Sequence, residues 1–343
     1  MDSILLNYIN SFPTIVLLLI ICVSLYTLGK GADLLVDEAV SLSVQWGIPK
    51  IIIGATIVSL GTTLPEVTVS VFAALKGNPD LALGNAIGSI IADTGLIIGL
   101  AAIIGQLPVD QNTINRQGKI QVLAGILLSV VCLPFFSNGG KRIGIIPQWM
   151  GWIFLVLLAM YLYKSFKWAK SSKSNKDDNT EEEVAVEKTN KPIALQVIMM
   201  FLGIIIVIIS SKILIPSVEV TAIRIGIPQS IIAATLIAFG TSLPELITAI
   251  TAVKKGHGEL AIGNIVGADV LNVLFVVGSA ASVTKGGLVV PTNFYKLQIP
   301  VMLIILLSFR HFSKNKGHVI TKKEGIFLTA IYSVYILLSY FGM

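Results

Sequence analysis

The chain has 343 residues, of which 54% are hydrophobic and only 13% charged, with a formal net charge of +6 and a mean hydropathy of +0.85. A soluble domain carries about a quarter charged residues, so this composition excludes an ordinary soluble enzyme or binding module. The charges also avoid long apolar stretches, so the basic excess reads as a topology signal and no nucleic-acid partner is expected. Apolar segments follow one another at 14–29, 49–75, 81–106, 118–136, 147–163, 194–215, 227–253, 259–283, 297–309 and 325–342. Each approaches or exceeds the roughly 20 residues that cross the hydrocarbon of a bilayer. The predicted fold is an all-α membrane protein of about ten transmembrane helices, with the lipid bilayer as its main partner.

Threading ten helices puts Lys50, Arg116, Lys119, the run from Lys164 to Lys191, Lys254, Lys255 and the cluster from Arg310 to Lys323 on one side. The other side holds little beyond Lys76, Lys141, Arg142, Arg224 and Lys285. The positive-inside rule makes the first side cytoplasmic and both termini extracytoplasmic, in a cell membrane. The first segment lacks a basic leader and is expected to be a retained helix. Asp33, Asp37 and Glu38 are expected near a helix end facing solvent, with Asp33 close to Lys30. Cys22 and Cys132 lie in apolar segments, and His257, His311 and His318 have no metal-ligand spacing. No HExxH, P-loop or nucleophile elbow is present, so neither an enzyme nor a resident cofactor is expected.

Residues 47–99 match residues 226–278 without a gap at a constant offset of 179, with about twenty identities. GIPK at 47–50 returns as GIPQ at 226–229, GTTLPE at 61–66 as GTSLPE at 240–245, and GNAIGS at 84–89 as GNIVGA at 263–268. A duplicated unit of five helices enters the membrane the second time from the opposite side. The predicted organisation is two inverted repeats, 1–167 and 193–343, joined by a polar cytoplasmic linker at 168–192.

In each repeat a helix is interrupted by Gly-Thr-(Thr/Ser)-Leu-Pro-Glu. Gly61, Pro65, Gly240 and Pro244 oppose continuous helix, and broken backbone inside a membrane is tolerated only in a protein interior or polar cavity. The break is expected to free the carbonyls from Ser59 to Thr62 and from Ala238 to Thr241, at the partially negative end of a half-helix. Glu66 and Glu245 follow directly. Carboxylates, carbonyls and hydroxyls together form a hard-oxygen set that suits Ca²⁺ and partly Na⁺, and not Zn²⁺ or Cu⁺. On the next helix Asn85, Ser89 and Asp93 share one face, with Asn264, Ala268 and Asn272 as repeat equivalents. The pairs Gly84/Gly88 and Gly263/Gly267 allow close helix approach. Asp269 lies about 100° around the helix from Ala268, where it meets either the site or a shielded partner.

The two GT(T/S)LPE motifs, each followed by a GNxxG helix, resemble the alpha-repeats of the calcium/cation antiporter superfamily, and in particular the archaeal and bacterial sodium/calcium exchangers. The resemblance implies Na⁺/Ca²⁺ antiport by alternating access. Ca²⁺ would sit between Glu66 and Glu245 with the carbonyls of Thr62 and Thr241. Na⁺ sites would use Ser59, Thr62, Thr63 and Ser89 from one half and Ala238, Thr241 and Ser242 from the other. The first and sixth helices would slide as gates. Two departures are visible. The Asn-then-Asp order of the archaeal pattern is reversed here to Asp93 and Asn272, and Ala268 stands where a Ser is frequent. The alternative is Ca²⁺/H⁺ antiport through the same carboxylates. An intramembrane hydrolase finds no motif, and a passive channel suits the repeat less well.

Overall fold

The computed structural model describes residues 8–134, 136–138, 141–174, 191–226, 240–315 and 317–340. Helix α1 (Thr14–Trp46) begins after Pro13 and ends at Gly47, whose positive φ of 62° lets its N–H close onto the last helical carbonyls. A broken span follows. α2 (Lys50–Ile53) passes into a π-helical turn, Gly54–Val58, then into α3 (Ser59–Thr62), and bends by 44° into α4 (Leu64–Leu75). The next span joins α5 (Pro79–Ile91), a π-helical turn at Ala92–Ile97, and α6 (Ile98–Ile104). α7 (Gln111–Val131) and α8 (Gln148–Ser174) complete the first half.

The second half opens with α9 (Ile193–Arg224) and continues with α10 (Leu243–Lys254). α11 (Gly258–Leu271), a π-helical turn at Asn272–Val277 and α12 (Gly278–Val283) form one span. A π-helical turn at Phe294–Gln298 leads into α13 (Ile299–Phe312), and α14 (Lys322–Tyr340) is last. The repeat offset of 179 reappears in the helix boundaries. It relates Thr14 to Ile193, Leu64 and Leu75 to Leu243 and Lys254, and Pro79 to Gly258, which are starts or ends of corresponding helices.

Among the described residues, six stretches are long and apolar enough to cross a membrane, and the bent pair Lys50–Thr62 with Leu64–Leu75 makes a seventh. Of the other predicted segments, 118–136 overlaps α7 as far as Val131 and 325–342 overlaps α14 as far as Tyr340. These helices fall below the same measure because α7 carries Gln117, Lys119 and Gln121 and α14 opens on Lys322, Lys323 and Glu324. Segment 227–253 is described only from residue 240, in its α10 part, and linker residues 175–190 lie outside the described residues.

The loops carry short strands that the all-α expectation omitted. β1 (Leu107–Pro108) pairs antiparallel with β5 (Val319–Ile320). β2 (Phe136–Asn138), β3 (Lys141–Ile146) and β4 (Leu288–Val290) form a three-stranded antiparallel sheet. Each sheet joins loops that charge partition assigns to the same side.

Burial separates a centre from a rim. In the apolar stretch of the span Gly258–Val283, 94% of residues are buried, and in that of Pro79–Ile104 78%, against 28% for α1 and 33% for α9. The rim exposes large apolar side chains, including Leu19 and Val23 on α1, Trp152 and Val156 on α8, and Ile198 and Ile209 on α9. An apolar surface of this extent is suited to lipid and not to water. The chain is a multi-pass membrane protein.

α1 and α9 pack along each other through small residues. A methyl group placed on Gly203 would sit 2.8 Å from the Leu35 backbone nitrogen. In the centre, one placed on Gly267 would sit 2.6 Å from the Ala55 Cα, and Gly263 lies against the Ile51 carbonyl. The Gly263/Gly267 pair therefore brings α11 onto the broken span as its spacing predicts. Residues 230 and 234, the counterparts of Ile51 and Ala55 that would face Gly84 and Gly88, lie outside the described residues.

One expectation is corrected. Because α1 runs on to Trp46, Asp33, Asp37 and Glu38 lie well inside the helix, and Glu38 points inward, 3% exposed, bonded to Lys191 Nζ at 2.6 Å. Asp33 and Asp37 are accessible, and Asp33 lies 3.9 Å from Lys30, but their nearer partner is Lys255, at 3.2 and 2.8 Å. These pairs tie α1 to the residues just before α9 and just after α10. Replacing Gly203 by Val forces α1 and α9 apart and should destabilise the protein by about 1–3 kcal/mol. A detergent melt that is unchanged from wild type would contradict this packing.

Candidate ion-binding site

The centre is organised by two prolines. Pro65 has no N–H to offer the Gly61 carbonyl, and Pro244 has none for Gly240. The chain turns at Thr63 and Ser242, and each proline occupies the first turn of the next helix. The Thr63 N–H bonds the Ser59 carbonyl at 2.9 Å, and the Thr62 hydroxyl reaches the same oxygen at 3.4 Å. The expected run of free carbonyls is therefore narrower, since Ser59 is already engaged. Ala238 lies outside the described residues.

Glu66 and Glu245 stand in the first turns of α4 and α10, where the helix dipole favours negative charge. Both are 1% exposed, as is Asp93 at the start of the π-helical turn in the following span. The three carboxyl groups are near enough to act on one another as charges. Hydroxyls from each repeat serve the other. Thr241 lies beside the Glu66 carboxylate and donates to Asn85 Oδ1 at 2.9 Å. Thr62 lies beside Glu245 and donates to Asn264 Oδ1 at 3.4 Å. Ser242 lies beside Asp93.

Asn85 Nδ2 completes this brace by donating to the Glu66 carbonyl at 3.2 Å and to Ser70 Oγ at 3.0 Å. The symmetric Asn264 makes neither bond: its Nδ2 is unpartnered, and Ala249 stands where Ser70 does. Asn85 and Asn264 thus act as interhelical ties. Ser59 is turned toward Gly267, with its hydroxyl on the Thr56 carbonyl at 3.3 Å. Ser89 is buried on the face it shares with Asn85 and Asp93.

Several oxygens here are sealed from solvent without a hydrogen-bond partner: Glu66 Oε2, both oxygens of Glu245, Asp93 Oδ1, Asn272 Oδ1 and Thr63 Oγ1. Buried polar atoms are normally satisfied, and no ion pair among the described residues reaches these carboxylates. A cluster of unfilled acceptors with no cationic side chain is a donor set for a hard cation.

Three participants were not singled out from sequence. Tyr161 on α8 donates to the Ala55 carbonyl at 3.1 Å, bracing the π-helical turn of the broken span. Thr94 and Gln121 both bond Asp269, which resolves its neighbourhood as a shielded polar partner set. Gln117 and Gln121, four apart in an apolar segment, were the available signal for α7.

Fold and site together define an integral membrane protein whose buried, oxygen-lined centre holds acids from both halves of the chain. Residues 16–167 and 195–341 match the sodium/calcium exchanger protein family model, and the chain belongs to that family. It is 32% identical to the inner membrane protein YrbG of Escherichia coli over 94% of this chain and 96% of that one. It is 26% identical to the sodium/calcium exchanger MaX1 of Methanosarcina acetivorans over 94% and 98%. The solved structure of the sodium-calcium exchanger NCX_Mj superposes with a TM-score of 0.77 at 26% identity, covering 95% of this chain and 99% of that one.

Asn85→Leu removes three interhelical bonds and strands Thr241, and should destabilise the fold by about 1–3 kcal/mol. Loss of thermal stability in detergent, larger than for Asn264→Leu, is the expected result. Equal losses would contradict the asymmetry set by Ser70.

Proposed function

We propose that the chain is a secondary-active antiporter that exchanges Na⁺ for Ca²⁺ by alternating access. The observation that carries this reading is the meeting of Glu66 and Glu245 from equivalent repeat positions, with unfilled oxygens and with hydroxyls crossing between the repeats. Ca²⁺ binds between the two glutamates, assisted by the Thr62 and Thr241 carbonyls. Na⁺ uses the flanking groups Ser59, Thr62, Thr63 and Ser89, with Ala238, Thr241 and Ser242 from the other half. Asp93 and Asn272 line the site in the reverse of the archaeal order, which preserves the carboxylate count. Both ions draw on the same glutamates, so each excludes the other, and that exclusion couples the fluxes. Proximity of hydroxyls to carboxylates supports this assignment for Thr62, Thr241 and Ser242. The names of MaX1 and NCX_Mj support the ion pair.

The matching helix boundaries support two repeats, 1–167 and 193–343, around a linker at 168–192. We read them as ten spans with an odd number per repeat, hence inverted, with the linker cytoplasmic and both termini outside the cell membrane. α1 and α9 lie on the lipid-exposed rim and pack on each other, which suits sliding gates.

The test is ⁴⁵Ca²⁺ uptake into proteoliposomes under an outward Na⁺ gradient, an outward H⁺ gradient or no gradient. Uptake driven by Na⁺ alone is expected, and uptake driven by H⁺ alone would replace Na⁺ with a proton as the coupling ion. Glu66→Gln and Glu245→Gln should each reduce uptake to background in folded protein. Near-normal flux in either would remove the glutamates from the site. Asn272→Asp should change ion preference more than stability, and an unchanged preference would count against a role for this position.

A further inference from the structure

The two glutamates account for the charge of one Ca²⁺, but the core holds two more carboxyl groups, Asp93 and Asp269, which are 1% and 2% exposed. Asp269 is not explained by the repeat. At the offset of 179 its counterpart is Ile90, and the counterpart of its partner Thr94 is Val273. Its Oδ2 accepts the Gln121 Nε2 at 2.6 Å and the Thr94 hydroxyl, while Gln121 also reaches Thr94 Oγ1 at 3.2 Å. Its Oδ1 is buried without a partner, and so is Gln121 Oε1, on a side chain 1% exposed. Asp93 acts on Asp269 as a neighbouring like charge, and Asp93 Oδ1 is also unfilled. Amide and hydroxyl donors satisfy lone pairs but leave formal charge in place. None of the ion pairs among the described residues involves either aspartate.

We infer that Asp269, Gln121 and Thr94 build a further cation position beside Asp93, made for one monovalent cation. This rests on the exchange reading above but uses α7, which the glutamate site does not. The free oxygens of Asp269, Gln121 and Asp93 are too few for Ca²⁺, which takes six to eight oxygen ligands. Burial also denies the site the waters that Mg²⁺ keeps. The remaining chemistry is that of Na⁺ or K⁺. Because Asp269 is separate from Glu66 and Glu245, its ion binds together with Ca²⁺ and does not compete with it.

The experiment is equilibrium binding of ²²Na⁺ and, separately, ⁸⁶Rb⁺ as a K⁺ substitute, to the purified full chain in detergent at saturating Ca²⁺. The wild type is expected to retain one monovalent ion per chain, and the isotope retained names the ion. Asp269→Asn should lose it with ⁴⁵Ca²⁺ binding preserved. Gln121→Leu, a second variant should the first fail to fold, should weaken it about tenfold. Absence of a monovalent ion in the Ca²⁺-loaded wild type, or equal retention in Asp269→Asn, overturns the position. A proton released in place of a bound ion, lost in Asp269→Asn, overturns it as well. If the wild type binds no ⁴⁵Ca²⁺ yet holds an Asp269-dependent ion, the exchange reading fails and this position stands.

Discussion

A carboxylate taken out of water without a counter-charge is among the most unfavourable groups a protein can bury. The architecture of this chain follows from placing Glu66, Glu245, Asp93 and Asp269 in such a position. All are at most 2% exposed. The contrast with Glu38 is instructive. That residue is almost as buried, well inside α1, but it receives Lys191. The central acids receive only neutral donors, helix N-termini and one another. The surrounding apolar spans exclude water, so a mobile cation is the natural complement of the site.

The bend between Thr62 and Leu64 brings Glu66 to the middle, and Pro65 and Pro244 open the helices that carry the two glutamates. The π-helical turns serve the same end. One begins at Ala92 beside Asp93 and its counterpart begins at Asn272. An inserted residue rotates everything after it by about 100° relative to a regular helix. The polar face containing Asn85 and Asp93 therefore gives way within one turn to the apolar packing of α6, and the same change follows α11. The close contacts at Gly263 and Gly267 seat α11, with Asn264, on the broken span.

Much of this was legible because duplication writes the same information twice. The glutamates, the breaks and the polar face were found by self-comparison at one offset, and the helix boundaries follow that offset even outside the matching sequence. What self-comparison cannot find is whatever breaks the symmetry. Ser70 supports Asn85 but has no counterpart under Asn264. Asp269 has Ile90 as its counterpart, and its partner Gln121 is 148 residues away in the chain. Tyr161 resembles any aromatic in a membrane helix until its hydroxyl is seen on Ala55. Glu38 was misplaced because no Gly or Pro marks how far α1 continues before Gly47. The exchanger resemblance was legible from two short motifs, whereas α7 and α14 were harder to classify because their polar residues lower the apolar signal.

The crossing of hydroxyls between the halves has a consequence for biogenesis. Chains are synthesised from the N-terminus, so the membrane receives Glu66 and Asp93 before Thr241 and Ser242 exist. Until α10 arrives, the first half offers the Glu66 carboxylate no more than its own backbone. The second half is equally incomplete, because Glu245 and Asn264 look to Thr62 for their hydroxyl. Neither half is a finished domain that waits for a partner. Each is a partly satisfied intermediate whose polar centre closes only when α10 and α11 insert, an event shared by both halves.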